Sequence, residues 1–275
     1  MEESHTEKKP SPYDDMWYWY LTGEQRAPFP KEMQLAMAVQ HKFHRYFPGS
    51  PRCLECGMPM RGIGSVLLRP GSKAASFSSR FCSSCEVTAR KEEAGAEVFL
   101  SMLFADVRDS TPLAERSSTN EFRSIINKFY KQTSKVLVEQ NAMVNRLMGD
   151  QVSALFVPRF AGKDHPKVAF QAARDILRVT GHGQPSGPWV PVGVGIHTGT
   201  AFVGVVGSSD GVNEIAVLGS AANLCARLSS QAAAGEILIS EDAVKAGQLD
   251  VTGLESRTLE LKGIAQPVSV RVLKT

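Results

Sequence analysis

From residue 98 the chain reads VFLSMLFADV, an apolar run of strand length that closes on an aspartate and a valine. The period then changes. Phe122, Ile125, Ile126, Phe129, Val136 and Leu137 recur at helical spacing and predict an amphipathic helix over about 119–140. Met143 to Leu147 and Val152 to Val157 read as two strands around Met148-Gly149-Asp150-Gln151, a hairpin that holds Asp150 at its tip. A helix starts at Asp164-His165-Pro166, where proline suits the first turn, and continues through Val168, Ala172, Ile176 and Leu177. Strands follow at about 190–197, 201–206 and 213–218, then a helix from Ser220 to Ser229 and a strand from Glu236 to Ile239. A short helix from Glu241 and two closing strands, TLELK and VSVRVL, complete the pattern. That order implies an α+β fold, an antiparallel-rich sheet with helices on one face. No sequence repeat is visible. GVGIHTG at 193–199 has the spacing G-x-G-x-x-x-G with no suitable helix after it, which excludes a dinucleotide-binding loop.

Upstream the pattern is weaker. Residues 1 to about 12 are polar and expected to be disordered; Trp17, Tyr18, Trp19 and Tyr20 follow as a cluster suited to covering a face of the same protein. Met33, Leu35, Ala36, Val39 and Phe43 suggest a short helix. Then come C-L-E-C at Cys53 and Cys56 and C-S-S-C at Cys82 and Cys85, separated by 25 residues rich in Gly, Ser and Arg. Each two-residue gap lets both sulfurs of a pair reach one tetrahedral metal, so the four thiolates are candidates for one structural Zn2+. The intervening segment has one short apolar run, too little for a core, and metal would supply the missing stability. Redox-active or merely buried cysteines are the alternative. His41 and His44 stand nearby, but four thiolates already complete the shell, and surface histidines on a helix are expected. A charged bridge, RKEEA, leads into the strongly patterned part. The expected organisation is therefore 1–50 tail and short helix, 51–93 zinc-binding module, and one large α+β domain over 94–275.

Composition narrows the partners. Of 275 residues 43% are hydrophobic and 21% charged, an ordinary globular balance able to bury a core. The 31 Lys and Arg are spread among 28 Asp and Glu, so no nucleic-acid partner is expected. No apolar run approaches the roughly 18 residues of a membrane helix, and the polar start lacks signal-peptide character, so no integral membrane segment and a cytoplasmic location are expected.

The chemistry lies in carboxylates. Asp106 at a strand end and Asp150 at a hairpin tip share a sheet edge if their strands are neighbours, and paired aspartates of this kind bind two divalent metals on a nucleoside triphosphate. The loop VRDSTP leads towards a helix and offers backbone N–H groups to phosphate oxygens. Asn223 and Arg227, four apart on one helical face, present an amide and a guanidinium to developing charge. Each aspartate alone suits a turn or cap; the combination is what points to catalysis.

FADVRDST, NRLMGDQVSALF, VGVGIHTGTAFVGVVG and VLGSAANLCARL, in that order, resemble the successive motifs of a class III nucleotidyl cyclase catalytic domain over about 94–275. The resemblance implies a ferredoxin-like palm and a head-to-tail homodimer with two active sites at its interface. Each site would take metals from one chain and transition-state groups from the other. Asp106 and Asp150 would bind two divalent cations, Mn2+ or Mg2+, with help from the Val107 carbonyl; Asn223 would orient the ribose, Arg227 would stabilise charge at the α-phosphate, and Lys262 would contact the terminal phosphates. The implied reaction is attack of the ribose 3′-hydroxyl on the α-phosphate with loss of pyrophosphate.

Purine cyclases of this kind carry a Lys four residues before the second aspartate and a Thr or Asp seven before the Asn. Arg146 and Ala216 stand there instead. Alanine offers no side-chain hydrogen bond, and a forked guanidinium fills space a purine would need. With Phe99 seven residues before Asp106, this combination resembles the pyrimidine cyclases of Pycsar anti-phage systems, whose cyclic UMP or cyclic CMP activates a separately encoded effector. UTP is the expected substrate before CTP. An adenylate cyclase with Phe99 in its core, and a catalytically silent binding module, are the alternatives.

Overall fold

The computed structural model describes residues 11–68, 74–75, 78, 80–91, 94–207 and 213–275. The expected disorder of residues 1–10 and the Glu92-Glu93 part of the charged bridge lie outside them. The chain divides into two compact units: one comprises the described residues of Met1–Ser76, Arg80–Glu97 and Val203–Ala216, the other those of Phe77–Ser79, Val98–Phe202 and Val217–Thr275. The described N-terminal helices and Cys53, Cys56, Cys82 and Cys85 fall in the first unit.

The sheet consists of β1 (Gly95–Val107), β2 (Met143–Met148), β3 (Gln151–Phe156), β4 (Val192–Gly207), β6 (Glu236–Ser240), β7 (Glu255–Leu259) and β8 (Val268–Lys274), which fall in the second unit except for the first three residues of β1 and residues 203–207 of β4. Their order is β2-β3-β1-β4-β6-β8-β7, with β5 (Asn213–Leu218) on β4. β1–β3, β2–β3, β6–β8 and β7–β8 are antiparallel, β4–β6 parallel. The apolar run of β1 is continuous because both faces are covered: Leu100, Met102 and Leu103 are fully buried.

Helix α6 (Thr119–Glu139) starts at a capping box between Ser118 and Glu121, and its apolar stripe buries Ile126, Phe129, Val136 and Leu137. It packs with α8 (His165–Val179) and α10 (Glu241–Gly247) on Val192, Val194 and Ile196 of β4 and on Ile237 and Ile239 of β6. The residue between, Leu238, turns to the opposite face and meets Leu228, Ala232, Val270 and Val272. Helix α9 (Ser220–Gln231) therefore covers that second face, and helices lie on both faces rather than on one. Gly193 and Gly195 make the approach possible: a Cβ at these positions would stand 2.4 Å from the Ala232 carbonyl oxygen and 2.3 Å from the Ser229 nitrogen. The G-x-G spacing serves packing.

Three expectations change. The strands expected at 190–197 and 201–206 form one strand, β4, because polar residues at its centre are paired within the fold: the Thr198 hydroxyl with Ser101 Oγ at 2.6 Å, His197 Nδ1 with Ser240 Oγ at 2.8 Å. The strand expected at TLELK lies three residues earlier as β7, and Leu261 beyond it tucks into the smaller core, 4% exposed. The short helices α5 (Ser110–Arg116) and α7 (Pro158–Ala161) had no apolar period to reveal them.

The first unit contains α1 (Pro12–Thr22), α2 (Lys31–Arg45), α3 (Ile63–Leu68) and α4 (Ser83–Lys91). The chain is helical from Pro12, ahead of where order was expected, because Ser11 and Asp14 form a capping box that the S-P-Y-D string announces. Trp17, Tyr20 and Leu21 are buried, and Tyr20 meets Phe81 at 5.3 Å, so the aromatic cluster does cover its own protein. In α2 the apolar positions Leu35, Val39 and Phe43 are exposed, whereas His44, expected at the surface, is buried.

Candidate active site

Asp106 stands opposite Gln151 in the β1–β3 register, beside the turn that joins β2 to β3. Gly149 has φ 63° and Asp150 a negative φ, the pattern of a type II′ hairpin turn. The Val107 N–H donates to the Asp150 carbonyl at 3.0 Å, tying the backbones of the two aspartates together. Tyr130 of α6 donates its hydroxyl to the Gly149 carbonyl at 2.6 Å. The Asp106 carboxyl is pushed up by burial and by the Asp150 charge, against the opposing pull of Arg108. Arg108 forms an ion pair with Asp106 and donates to the Ser230 carbonyl at 2.9 Å. Neither Tyr130 nor Arg108 was singled out by sequence, because no spacing rule links them to the carboxylates. Two carboxylates with the adjoining Val107 carbonyl form a hard-oxygen set, the chemistry that suits Mg2+ or Mn2+.

Asn223 and Arg227 lie on the exposed face of α9, while Cys225 and Leu228 between and after them are buried. Among the described residues neither the Asn223 nor the Arg227 side chain has a hydrogen-bond or ion-pair partner. Helical spacing was enough to place them on one face.

Of the base-reading candidates, Arg146 is half-buried opposite Ser153, next to an irregularity in the β2 register between Val144 and Arg146. Ser153 in turn faces Phe104 of β1. Phe99 lies five residues back along β1, about 17 Å at strand rise, and is 51% exposed, so it is no core residue. It borders a cavity of 690 Å³ with His197, Thr200, Leu224 and Lys245. The structure does not bring Phe99 of a chain beside its own Arg146; Phe104 occupies that row. Ala216 is buried in β5, in the first unit. Lys262 is exposed in the turn after β7.

The sequence profile of the family described as the adenylate and guanylate cyclase catalytic domain matches residues 93–272. The chain belongs to that family. It is 26% identical over 186 residues to an adenylate cyclase of Anabaena cylindrica, covering 64% of this chain and 36% of that protein. It is 26% identical over 171 residues to adenylate cyclase 1 of Rhizobium meliloti, covering 60% of this chain and 24% of that one. The chain thus matches only about a third or less of the length of these curated relatives. The guanylyl cyclase Cya2 superposes with a TM-score of 0.55 at 26% identity, covering 65% of this chain and 92% of that structure. The adenylyl cyclase CyaB from P. aeruginosa shares the fold, with a TM-score of 0.55 at 23% identity, covering 66% and 96%. Among the described residues no helix is long and apolar enough to cross a membrane.

Outside the residues that the family profile matches, the sulfurs of Cys53, Cys56, Cys82 and Cys85 all lie within 4.8 Å of one another. The Cys53–Cys85 and Cys56–Cys82 sulfurs are 3.7 Å apart, against about 3.8 Å for the edge of a tetrahedron with Zn–S bonds of about 2.3 Å. His41 and His44 are held differently. The His41 ring meets the Glu55 carbonyl and His44 Nδ1 the Cys56 carbonyl at 2.5 Å, so both brace the knuckle from α2. Cys225 is remote in role: its thiol donates to the Met102 carbonyl, and burial pushes it up.

Proposed function

We propose that the protein is a nucleotidyl cyclase that converts a nucleoside triphosphate to its 3′,5′-cyclic monophosphate and pyrophosphate, at sites shared by two copies of the chain. The observation that carries this reading is the joining of Asp106 and Asp150 through the Val107–Asp150 hydrogen bond at one sheet edge, in a chain whose Asn223 and Arg227 are exposed with no partner for either side chain. Asp106, Asp150 and the Val107 carbonyl would hold two divalent cations, whose chemistry there would be Lewis-acid stabilisation of phosphate charge. Asn223 of the second copy orients the ribose so that its 3′-hydroxyl faces the α-phosphorus, and Arg227 stabilises charge as the bond to pyrophosphate breaks. Lys262 holds the terminal phosphates.

The base is a pyrimidine, UTP before CTP. Arg146 offers donors only, which suits the two carbonyl acceptors of uracil and opposes the exocyclic amine of adenine; Ala216 has nothing to offer a purine edge. The product acts through a separate cyclic-nucleotide-activated effector in anti-phage defence. A purine substrate is the second reading, favoured by the names of the relatives, which are adenylate or guanylate cyclases. Incubating the full chain with equimolar ATP, GTP, CTP and UTP and Mn2+, then weighing the products, decides between them. Cyclic UMP in excess supports the pyrimidine reading, mainly cyclic AMP overturns it and leaves the cyclase, and no cyclic product from protein that binds Mn2+ overturns both. Arg146→Lys with Ala216→Thr should shift the ratio of UTP to ATP turnover towards ATP by about ten- to hundredfold.

Cys53, Cys56, Cys82 and Cys85 bind one structural Zn2+ in this reading, carried by the match between their sulfur spacing and a Zn–S4 tetrahedron.

A further inference from the structure

Asp150 sits in a two-residue turn, Gly149-Asp150, whose middle peptide has two accessible orientations. With Gly149 at φ 63° and Asp150 at negative φ the turn is of type II′. Rotating the Gly149–Asp150 peptide by half a turn gives type I′, which puts Asp150 at positive φ, a conformation aspartate tolerates. Glycine at 149 puts up little resistance, since nothing lies within 4 Å of where its Cβ would be. The two forms direct the Asp150 carboxylate differently while leaving the β2–β3 ladder intact. Something must select one.

The oxygen that would move in that rotation is the Gly149 carbonyl, and it accepts the Tyr130 hydroxyl at 2.6 Å. On the other side of Asp150 its own carbonyl accepts the Val107 N–H at 3.0 Å. The peptide before Asp150 is thus held by a helix and the peptide after it by β1. Tyr130 is itself well anchored, adjoining the fully buried Phe129 on α6. We infer that Tyr130 is a positioning residue: its hydroxyl locks the hairpin turn in the form that aims Asp150 at the site shared with Asp106.

This inference rests on the metal-dependent cyclase reading. Its test is Tyr130→Phe, which keeps the ring and its packing and deletes one hydroxyl. In the full chain Mn2+ half-saturation, followed both by activity and by direct Mn2+ titration using electron paramagnetic resonance, should weaken by about three- to tenfold. Turnover at saturating Mn2+ should stay within about twofold of the parent, because the carboxylate is still present and the metal restores its aim. The melting temperature should hardly move, since the lost bond lies at an exposed turn. A purely structural role would lower melting and leave metal half-saturation alone. Equal Mn2+ binding by Tyr130→Phe and the parent overturns the inference by itself. A parent chain that binds no Mn2+ overturns the cyclase reading and the inference with it. Gly149→Ala gives an independent arm: it penalises both positive-φ forms in a turn whose surroundings leave room for the methyl, so it should weaken Mn2+ half-saturation in the same direction, and an unchanged value would also count against the turn's role.

Discussion

The two units are held together in different ways. In the second, cohesion is apolar: Leu100, Met102, Phe129, Leu137 and Phe156 are fully buried and the helices close over both faces of the sheet. In the first, α1 buries Trp17 and Leu21, but α2 and α3 leave Leu35, Val39, Phe43, Ile63 and Leu67 exposed. Around the cysteines cohesion is polar and local. The Arg52 guanidinium alone donates to the carbonyls of His44, Gly57 and Phe47, and four sulfurs meet at one point. Helices of six and nine residues bury too little to stand by themselves, so cross-links replace area. The difference teaches where each unit is vulnerable: the second to loss of a side chain from its site or core, the first to loss of one cross-link.

The sharpest separation of the two comes from activity. Asp106→Ala and Arg227→Ala should each lower turnover by about a hundred- to thousandfold or more, with the metal content of the cysteine cluster unchanged. Mixed in equal amounts they should recover about a quarter of the parent rate, since half of randomly formed dimers are mixed and one of their two sites is whole. Absence of recovery from dimers shown to exchange subunits would sink the shared site. Cys56→Ser should do the converse. About one Zn2+ per chain, measured by metal analysis of the parent, should be lost, and limited proteolysis should cut between residues 50 and 90, while the cyclase domain melts as before. A zinc-free parent that resists protease there would contradict the cross-link account.

Acid should find the second unit. His165 is buried against Ser101 and Phe99, and burial lowers it to about 4 despite the opposing charge of Asp164. The unfolded chain takes up the proton near pH 6.5 and the folded chain does not until about pH 4, so stability falls as pH drops through that window and levels off below it. The loss at pH 5 is on the order of 2 kcal/mol. Melting curves at pH 7.5 and 5 should show it, and His165→Gln should flatten the dependence; the same slope in that variant would assign the effect to the other buried histidines, His182 and His197, which burial also lowers. The smallest effects compare the two capping boxes. Ser118→Ala and Ser11→Ala should each cost about 1 kcal/mol, the first read in the melting of the cyclase domain and the second in protease resistance of the N-terminal unit. Indistinguishable behaviour of the two variants would mean that the units unfold as one.

Long elements were legible because their signal is local and repeated: the six apolar positions of α6 predicted 119–140 against an observed Thr119–Glu139, and the Asp150 hairpin was placed by its turn residues. The four motifs and both cysteine pairs were legible for the same reason, since spacing along a chain is preserved whatever the chain packs on. What the sequence could not decide depended on segments far apart meeting. Coverage of the sheet's second face was hidden because Gly193 and Gly195 mean something only when α9 lies across them. The burial of His44 needed the Cys56 carbonyl to stand beside it. The separation of Phe99 from Arg146 followed from the β1–β3–β2 register, which aligns Arg146 with Phe104. The part played by Tyr130 depended on a helix delivering one hydroxyl to one carbonyl nineteen residues away. Periodicity and spacing are properties of the backbone's own repeat, so the sequence determined the elements and the chemistry they carry; register, facing and contact are properties of pairs of segments, so only the tertiary structure decided which of those groups meet.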